Sequence, residues 1–107
     1  MIKIDDWVIE KGEKAQGKIK ITGYGIAMPA TVICGVEDGP TVLITAGIHS
    51  AEYVGIQAAM ELAKEFQPEE LKGNVIIVPL VNVSGFEHRT MSLVYEDGKN
   101  LNRVFPG

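Results

Sequence analysis

The order of hydrophobic periods between Thr41 and Leu80 constrains the fold more than any other feature of the chain. Thr41-Val42-Leu43-Ile44-Thr45-Ala46 is nearly continuously apolar, as expected of a central strand covered on both faces. Gly47-Ile48-His49-Ser50 interrupts it. The segment from Ala51 to Phe66 then places Val54, Ala58, Leu62 and Phe66 on one row, with Gly55, Ala59 and Ala63 beside them and Gln57, Glu61 and Glu65 opposite, the pattern of an amphipathic helix. Pro68 disfavours helical geometry at Gln67, so the helix ends there, and Pro68 to Gly73 forms a short turn. Asn74 to Leu80 reads as the next strand. A strand, a helix and a second strand in this order imply a right-handed crossover and a parallel pair.

Upstream, Lys18-Ile19-Lys20-Ile21-Thr22 alternates polar and apolar residues, as a half-exposed strand does, and Gly23-Tyr24-Gly25 closes it. That Gly-x-Gly lacks the third glycine and following helix of a dinucleotide loop. Ala30 to Val36 and Thr41 to Ala46 are joined by the turn cluster Glu37-Asp38-Gly39-Pro40, which predicts an antiparallel hairpin. A hairpin added to a parallel pair makes the sheet mixed. Residues 1–17 show no sustained period and read as a leader anchored by Trp7, ahead of an α/β region over 18–107. From Asn82 to Gly107 no period survives, apart from a turn at Asp97-Gly98.

With 107 residues, 46% of them hydrophobic, the composition is that of a single soluble globular domain. A net charge of −4 without a Lys/Arg cluster gives no footprint for nucleic acid. The two acids at Asp5-Asp6 and an apolar run no longer than Val75 to Val81 predict neither export nor a membrane span. Cys34 is the only cysteine, which excludes an intrachain disulfide and points to a reducing, cytoplasmic setting. Its apolar neighbours predict a buried structural thiol.

Ligands of open α/β sheets bind beyond the carboxyl ends of the strands. His49 falls just past such an end, and Glu52 falls in the first helical turn. An imidazole and a carboxylate at this spacing can converge on one cation, and zinc accepts such a nitrogen and oxygen pair. The same residues also allow a plain capping role, with Ser50 closing the helix N-terminus and Glu52 favouring its positive end.

The stretch from Gly39-Pro40-Thr41 through Gly47-Ile48-His49-Ser50-Ala51-Glu52, followed about 45 residues later by Asp97-Gly98-Lys99-Asn100-Leu101-Asn102-Arg103-Val104-Phe105-Pro106-Gly107, resembles the succinylglutamate desuccinylase and aspartoacylase family of the zinc carboxypeptidase-like superfamily. The resemblance covers residues 30–107. It implies a mixed-sheet α/β fold with a crossover helix, part of a zinc carboxypeptidase-like (phosphorylase/hydrolase-like) architecture, and one zinc ion bound by His49 and Glu52. It further implies that Asn102 and Arg103 hold the carboxylate of an N-acyl amino acid, a role suited to a planar guanidinium. Arg89, in Phe86-Glu87-His88-Arg89, resembles the arginine that polarises the scissile carbonyl.

Two departures preserve the metal-binding residue types: His-Ser-Ala-Glu stands where His-Gly-Asp-Glu or His-Gly-Asn-Glu is commoner, and Asn82-Val83 stands where Asn-Pro is usual. Family members are longer, and the resemblance places their third zinc ligand, a histidine, and their general base, a glutamate, beyond residue 107. His88 neighbours Arg89 and reads as an exposed loop histidine rather than the missing ligand. The expectation is therefore the N-terminal part of a zinc-dependent deacylase domain, inactive by itself, acting on small N-acyl amino acids. A peptide-cleaving zinc carboxypeptidase and a non-catalytic binding module are the alternatives. A sheet with an uncovered edge also predicts self-association.

Overall fold

The computed structural model describes residues 1–107. Strands β1 (Ile2–Ile4) and β2 (Trp7–Ile9) form a small antiparallel ribbon. Strands β3 (Lys14–Ile21), β4 (Ile26–Cys34), β5 (Glu37–Thr45) and β6 (Lys72–Val78) form the main sheet in the order β3-β4-β6-β5. Helix α1 (Tyr53–Glu65) connects β5 to β6, and a short helix α2 (Val83–His88) follows β6. β3 and β4 are antiparallel, β4 and β6 are antiparallel, and β5 and β6 are parallel, so the sheet is mixed as the sequence implies.

The predicted β4–β5 hairpin does not form. β6 lies between the two strands, with Cys34 opposite Asn74 on one side and Thr41 opposite Asn74 on the other. Residues 35 and 36 make the connection, and Glu37–Pro40, read as the turn, begins β5, with Glu37 opposite Lys72 and an irregularity in the pairing before Thr41. Gly35 donates its N–H to Gly73 O at 2.8 Å, and Val36 donates to Pro68 O at 3.1 Å. The incoming start of β6 passes so close that a Cβ on Gly39 would lie 2.8 Å from the Gly73 nitrogen, and Gly73 itself adopts φ +89°. The glycines read as turn residues therefore serve a backbone crossing.

In the sheet formed by residues 1–107, β5 stands last in the order rather than at the centre the sequence suggests, and Val42 and Leu43 are 49% and 61% exposed. The leader also differs from expectation: it holds β1, β2 and the start of β3. Trp7 is half-buried and lies on Gly17, where no Cβ would fit.

Each sheet face has its own apolar cluster. On one face, Ile33 and Ile77 pack with Ala59 and Ala63 of α1, flanked by Ile44, Leu62 and Phe66. On the other, Ile9, Val32 and Cys34 pack with Trp7, Ala15 and Ile76, so the β1–β2 ribbon covers a surface that no helix reaches. Cys34 is buried, as its neighbours predicted.

The helix is where the apolar pattern places it, but its inward stripe runs through Ile56, Ala59 and Ala63, while Val54 is 86% exposed. A row at steps of four drifts about 40° per step around a helix of 3.6 residues per turn, so Val54 and Phe66 cannot both face the sheet. Small side chains at 59 and 63 form the contact stripe. The chain leaves the helix at Phe66, whose N–H bonds Leu62 O, and Gln67 before Pro68 is extended, with φ −122° and ψ 146°.

Candidate functional site

The candidate site lies at the carboxyl ends of β5 and β6. Past Thr45, Ala46 still donates to Val78 O at 3.0 Å, and Val81 donates to Ala46 O at 3.0 Å. Gly47 then takes φ +65°, where a side chain would press on Leu80, and the chain swings into the loop carrying His49. Glu52 returns its N–H to His49 O at 3.1 Å, so a tight turn joins the two site residues.

His49 Nδ1 lies 3.0 Å from Glu52 Oε2, and His49 Nε2 lies 2.7 Å from Asn100 Oδ1. The Asn100 oxygen also accepts the Asn102 backbone N–H at 3.0 Å, which fixes the orientation of its amide. An acceptor at that position requires Nε2 to carry a proton, so in the neutral ring the Nδ1 lone pair faces the Glu52 carboxylate. Without a cation between them, a proton on Nδ1 satisfies the contact. Accordingly, the hydrogen bond to Asn100, then that to Glu52, holds the His49 pKa above its ordinary value, and the charge of Arg103 opposes this.

This donor set suits zinc: one imidazole nitrogen and one carboxylate oxygen converge, with a second-shell acceptor setting the ring tautomer. It is also incomplete, because no three His, Cys, Asp or Glu side chains come together anywhere in the chain. Of the alternative capping role, the Ser50 cap is not observed, while Glu52 does stand at the positive end of α1. Glu52 occupies the N-cap position of α1 without a side-chain cap bond, and Ser50 instead donates its hydroxyl to Met91 O at 3.0 Å.

Asn102 and Arg103 lie in a short 3-10 turn, Leu101–Arg103, capped by Asn100. One amide side chain thus links the His-x-x-Glu loop to the Asn-Arg motif. Arg89 sits apart from this cluster. It ends α2 in the left-handed conformation, φ 56° and ψ 42°, and lines a cleft of about 430 Å³ with Ser50, Ala51, Tyr53, Phe86 and Met91. Tyr53 and Phe86 meet edge to face at 6.1 Å on its wall. Arg89 therefore borders the loop between His49 and Glu52 without a hydrogen bond or ion pair to either residue. His88 lies at the end of α2 rather than in a loop, exposed and stacked on Tyr95 at 3.6 Å, away from the His49 contacts.

Buried Asn82 holds these parts in register. Its Oδ1 accepts from Gly85 N at 3.1 Å as the cap of α2, and its Nδ2 donates to Leu93 O at 3.1 Å and Ile48 O at 3.4 Å. Asn100 is the site residue that sequence reasoning missed. It lies inside the Asp97-to-Gly107 motif, but its partner is 51 positions away in the chain. Only an unpaired ring nitrogen on His49 could have signalled the need for such an acceptor.

Residues 38–107 match the family model of the succinylglutamate desuccinylase/aspartoacylase catalytic domain. The chain is 41% identical over 101 residues to the N-alpha-acetyl-L-2,4-diaminobutyric acid deacetylase of Halomonas elongata, covering 92% of this chain and 26% of that protein. Among solved structures, it is similar to a succinylglutamate desuccinylase/aspartoacylase from Rhodobacter sphaeroides, at TM-score 0.79 and 35% identity, covering 95% of this chain and 33% of that one. It is also similar to the product-bound ectoine utilization protein of Ruegeria pomeroyi, at TM-score 0.77 and 31% identity, with 94% and 32% coverage. The chain thus spans about a third or less of the length of the relatives it matches. Mixed sheet, strand-end site and matches agree on one family. The chain belongs to the succinylglutamate desuccinylase/aspartoacylase family. No helix in it is long and apolar enough to cross a membrane.

Proposed function

We propose that residues 1–107 form part of the catalytic domain of a zinc-dependent deacylase that hydrolyses the amide of a small N-acyl amino acid. The observation that carries this reading is the His49–Glu52 pair, oriented by Asn100 at the end of β5 and joined through it to the Asn102–Arg103 turn. The Halomonas elongata relative, named for a deacetylated amino acid, supports a small N-acyl substrate over a peptide.

His49 Nδ1 and the Glu52 carboxylate would hold zinc, which when bound supplies Lewis-acid activation of water and of a carbonyl oxygen. Asn100 keeps the His49 Nε2 proton in place and the Nδ1 lone pair directed at the carboxylate. Arg103 and Asn102 bind the substrate carboxylate, the guanidinium by a planar two-point contact and the amide as a further donor. Arg89, at the mouth of its cleft, donates to the scissile carbonyl oxygen where negative charge develops during attack. The buried lone thiol of Cys34 suits the reducing cytoplasm.

With two protein ligands where catalytic zinc sites use three, this chain binds zinc weakly and shows no useful turnover. Equilibrium dialysis against zinc tests the site: His49→Ala and Glu52→Ala should each abolish the weak binding, and His88→Ala should leave it unchanged. Binding that survives His49→Ala would overturn the assignment. Zinc-dependent hydrolysis by the pure chain would overturn the statement that it is inactive.

A further inference from the structure

Ser50, where the sequence departs from the commoner His-Gly pattern, serves neither as a helix cap nor as a metal ligand. It is 2% exposed, and its hydroxyl donates to Met91 O at 3.0 Å. The backbone N–H of Ala51 donates to the same oxygen at 3.3 Å. Two donors of the loop that carries His49 and Glu52 therefore converge on one carbonyl of the segment that follows α2.

That segment has an unfavourable backbone. Arg89 and Met91 both take positive φ, 56° and 62°. For Arg89 the cause is local: it closes α2, with the N–H groups of Arg89 and Thr90 both bonding Gly85 O. Met91 has no such cause. It is the second residue of a turn in which Leu93 donates to Thr90 O at 3.2 Å, and positive φ at that place favours glycine, asparagine or aspartate. Other side chains persist there only where the surroundings hold them, and here the two bonds to Met91 O do so. The Arg89 side chain leaves from this turn, so the backbone of residues 89–91 sets where its guanidinium can reach.

We propose that Ser50 is a positioning residue: its hydroxyl fixes the Arg89–Met91 turn against the His49–Glu52 loop, and with it the place of the Arg89 guanidinium relative to the two ligands. This role rests on the assignment of Arg89 to the scissile carbonyl. Asn82 joins the same two segments at their roots, through Ile48 O and Leu93 O, whereas Ser50 joins them nearer the functional side chains. Loss of the hydroxyl therefore loosens residues 89–92 while Asn82 keeps the loops together. Donor and acceptor both belong to these loops and Ser50 is already buried, so the bond does not depend on what covers the outer surface.

Nitrogen relaxation and cobalt(II)-induced shifts, measured by NMR on the whole chain, test this role in the parent, Ser50→Ala and Ser50→Gly. The glycine variant restores the commoner residue and guards against a fault peculiar to alanine. Backbone order parameters of Arg89–Ser92 should lie near about 0.85 in the parent and fall below about 0.6 in both variants, with Asn82–Phe86 and the circular dichroism unchanged. Cobalt(II), a paramagnetic substitute for zinc, shifts the Arg89 Nε–H resonance according to its place relative to the metal. Motion in the variants should reduce that shift by about half or more, while the shifts of the Ile48 and Tyr53 amides persist. Unchanged order at 89–92 in both variants overturns the proposal, as does an Arg89 shift that survives in both. A loss of order spread over the whole chain also overturns it, because Ser50 would then only support the fold. Absence of cobalt shifts around His49 in the parent would instead refute the metal assignment, and the relaxation measurement would then decide the role of Ser50.

Discussion

Asn82 is the position where fold and site depend on one side chain, and Asn82→Ala measures that dependence. The substitution removes the N-cap of α2, which typically costs about 1 kcal/mol. It also leaves the Gly85 N–H and the carbonyls of Leu93 and Ile48 without this partner in a buried setting. Unsatisfied buried groups cost about 1–3 kcal/mol each, and the long 3.4 Å bond to Ile48 belongs at the low end. The combined loss is about 3 kcal/mol, or a fall in Tm of roughly 12–24 °C for a chain of this size. Asn82→Asp separates the contributions. It retains the acceptor for Gly85 N but directs a carboxylate oxygen at two carbonyl oxygens, so it should be at least as destabilising as alanine. Urea unfolding at 10 °C, followed by circular dichroism, gives both values. An alanine variant within 0.5 kcal/mol of the parent, or an aspartate variant that restores stability, would refute the claim that Asn82 joins the strand-end loops.

Asn100→Ala should lower zinc affinity about 10- to 100-fold, the usual cost of losing a ligand's second-shell partner, and should bring the His49 pKa down; calorimetry and an NMR titration of the ring read the two effects. The Asn100 bond, then that of Glu52, raises the His49 pKa in the folded state, so this group contributes stability below its unfolded pKa and loses it as pH rises through the folded one. Zinc competes for the same nitrogen, so its affinity should rise with pH over that range and thermal stabilisation by zinc should vanish on the acid side, whereas His49→Ala should abolish both trends. In a family enzyme carrying the complete ligand set and these motifs, the arginine aligned with Arg103 should mainly affect KM on substitution by alanine, with reduced discrimination against amidated substrates. The one aligned with Arg89 should lower kcat by about 100-fold, as steady-state kinetics on an N-acyl amino acid and its amide would show.

The β5-α1-β6 unit was legible in the sequence because each part carries its own period: a continuous apolar run, a helical stripe ended by Pro68, and a second run after Gly73. Strand order was not. Glu37-Asp38-Gly39-Pro40 has the composition of a hairpin turn, and nothing local distinguishes a turn from the start of a strand set one place further along the sheet. The distinguishing feature is a contact between Gly35, Gly39 and Gly73, residues far apart in the chain whose backbones approach too closely for side chains. The burial of β5 was misread for a related reason. Apolar strand composition records what a strand is suited to pack against, and among residues 1–107 only β6 pairs with β5.

At the site, His49 and Glu52 were legible from their position past a strand end, and the structure brings them into contact. Asn102 and Arg103 were legible only through resemblance, because a turn of polar residues has no period to interpret. Their link to His49 through the Asn100 amide is a tertiary contact with no sequence signature. Ser50 illustrates the opposite case: its position suited a helix cap, but the loop after α2 offered the Met91 carbonyl to its hydroxyl.

The central claim is that His49 and Glu52 form a zinc-binding pair at the end of β5, with the ring oriented by Asn100. Long-range proton–nitrogen NMR of the two histidines during a zinc titration tests it directly. Zinc should move the His49 Nδ1 resonance while Nε2 remains protonated toward Asn100, leave both nitrogens of His88 in place, and lose its effect in Glu52→Gln. A titration in which His88 responds and His49 does not, or in which Glu52→Gln binds as well as the parent, would contradict the account.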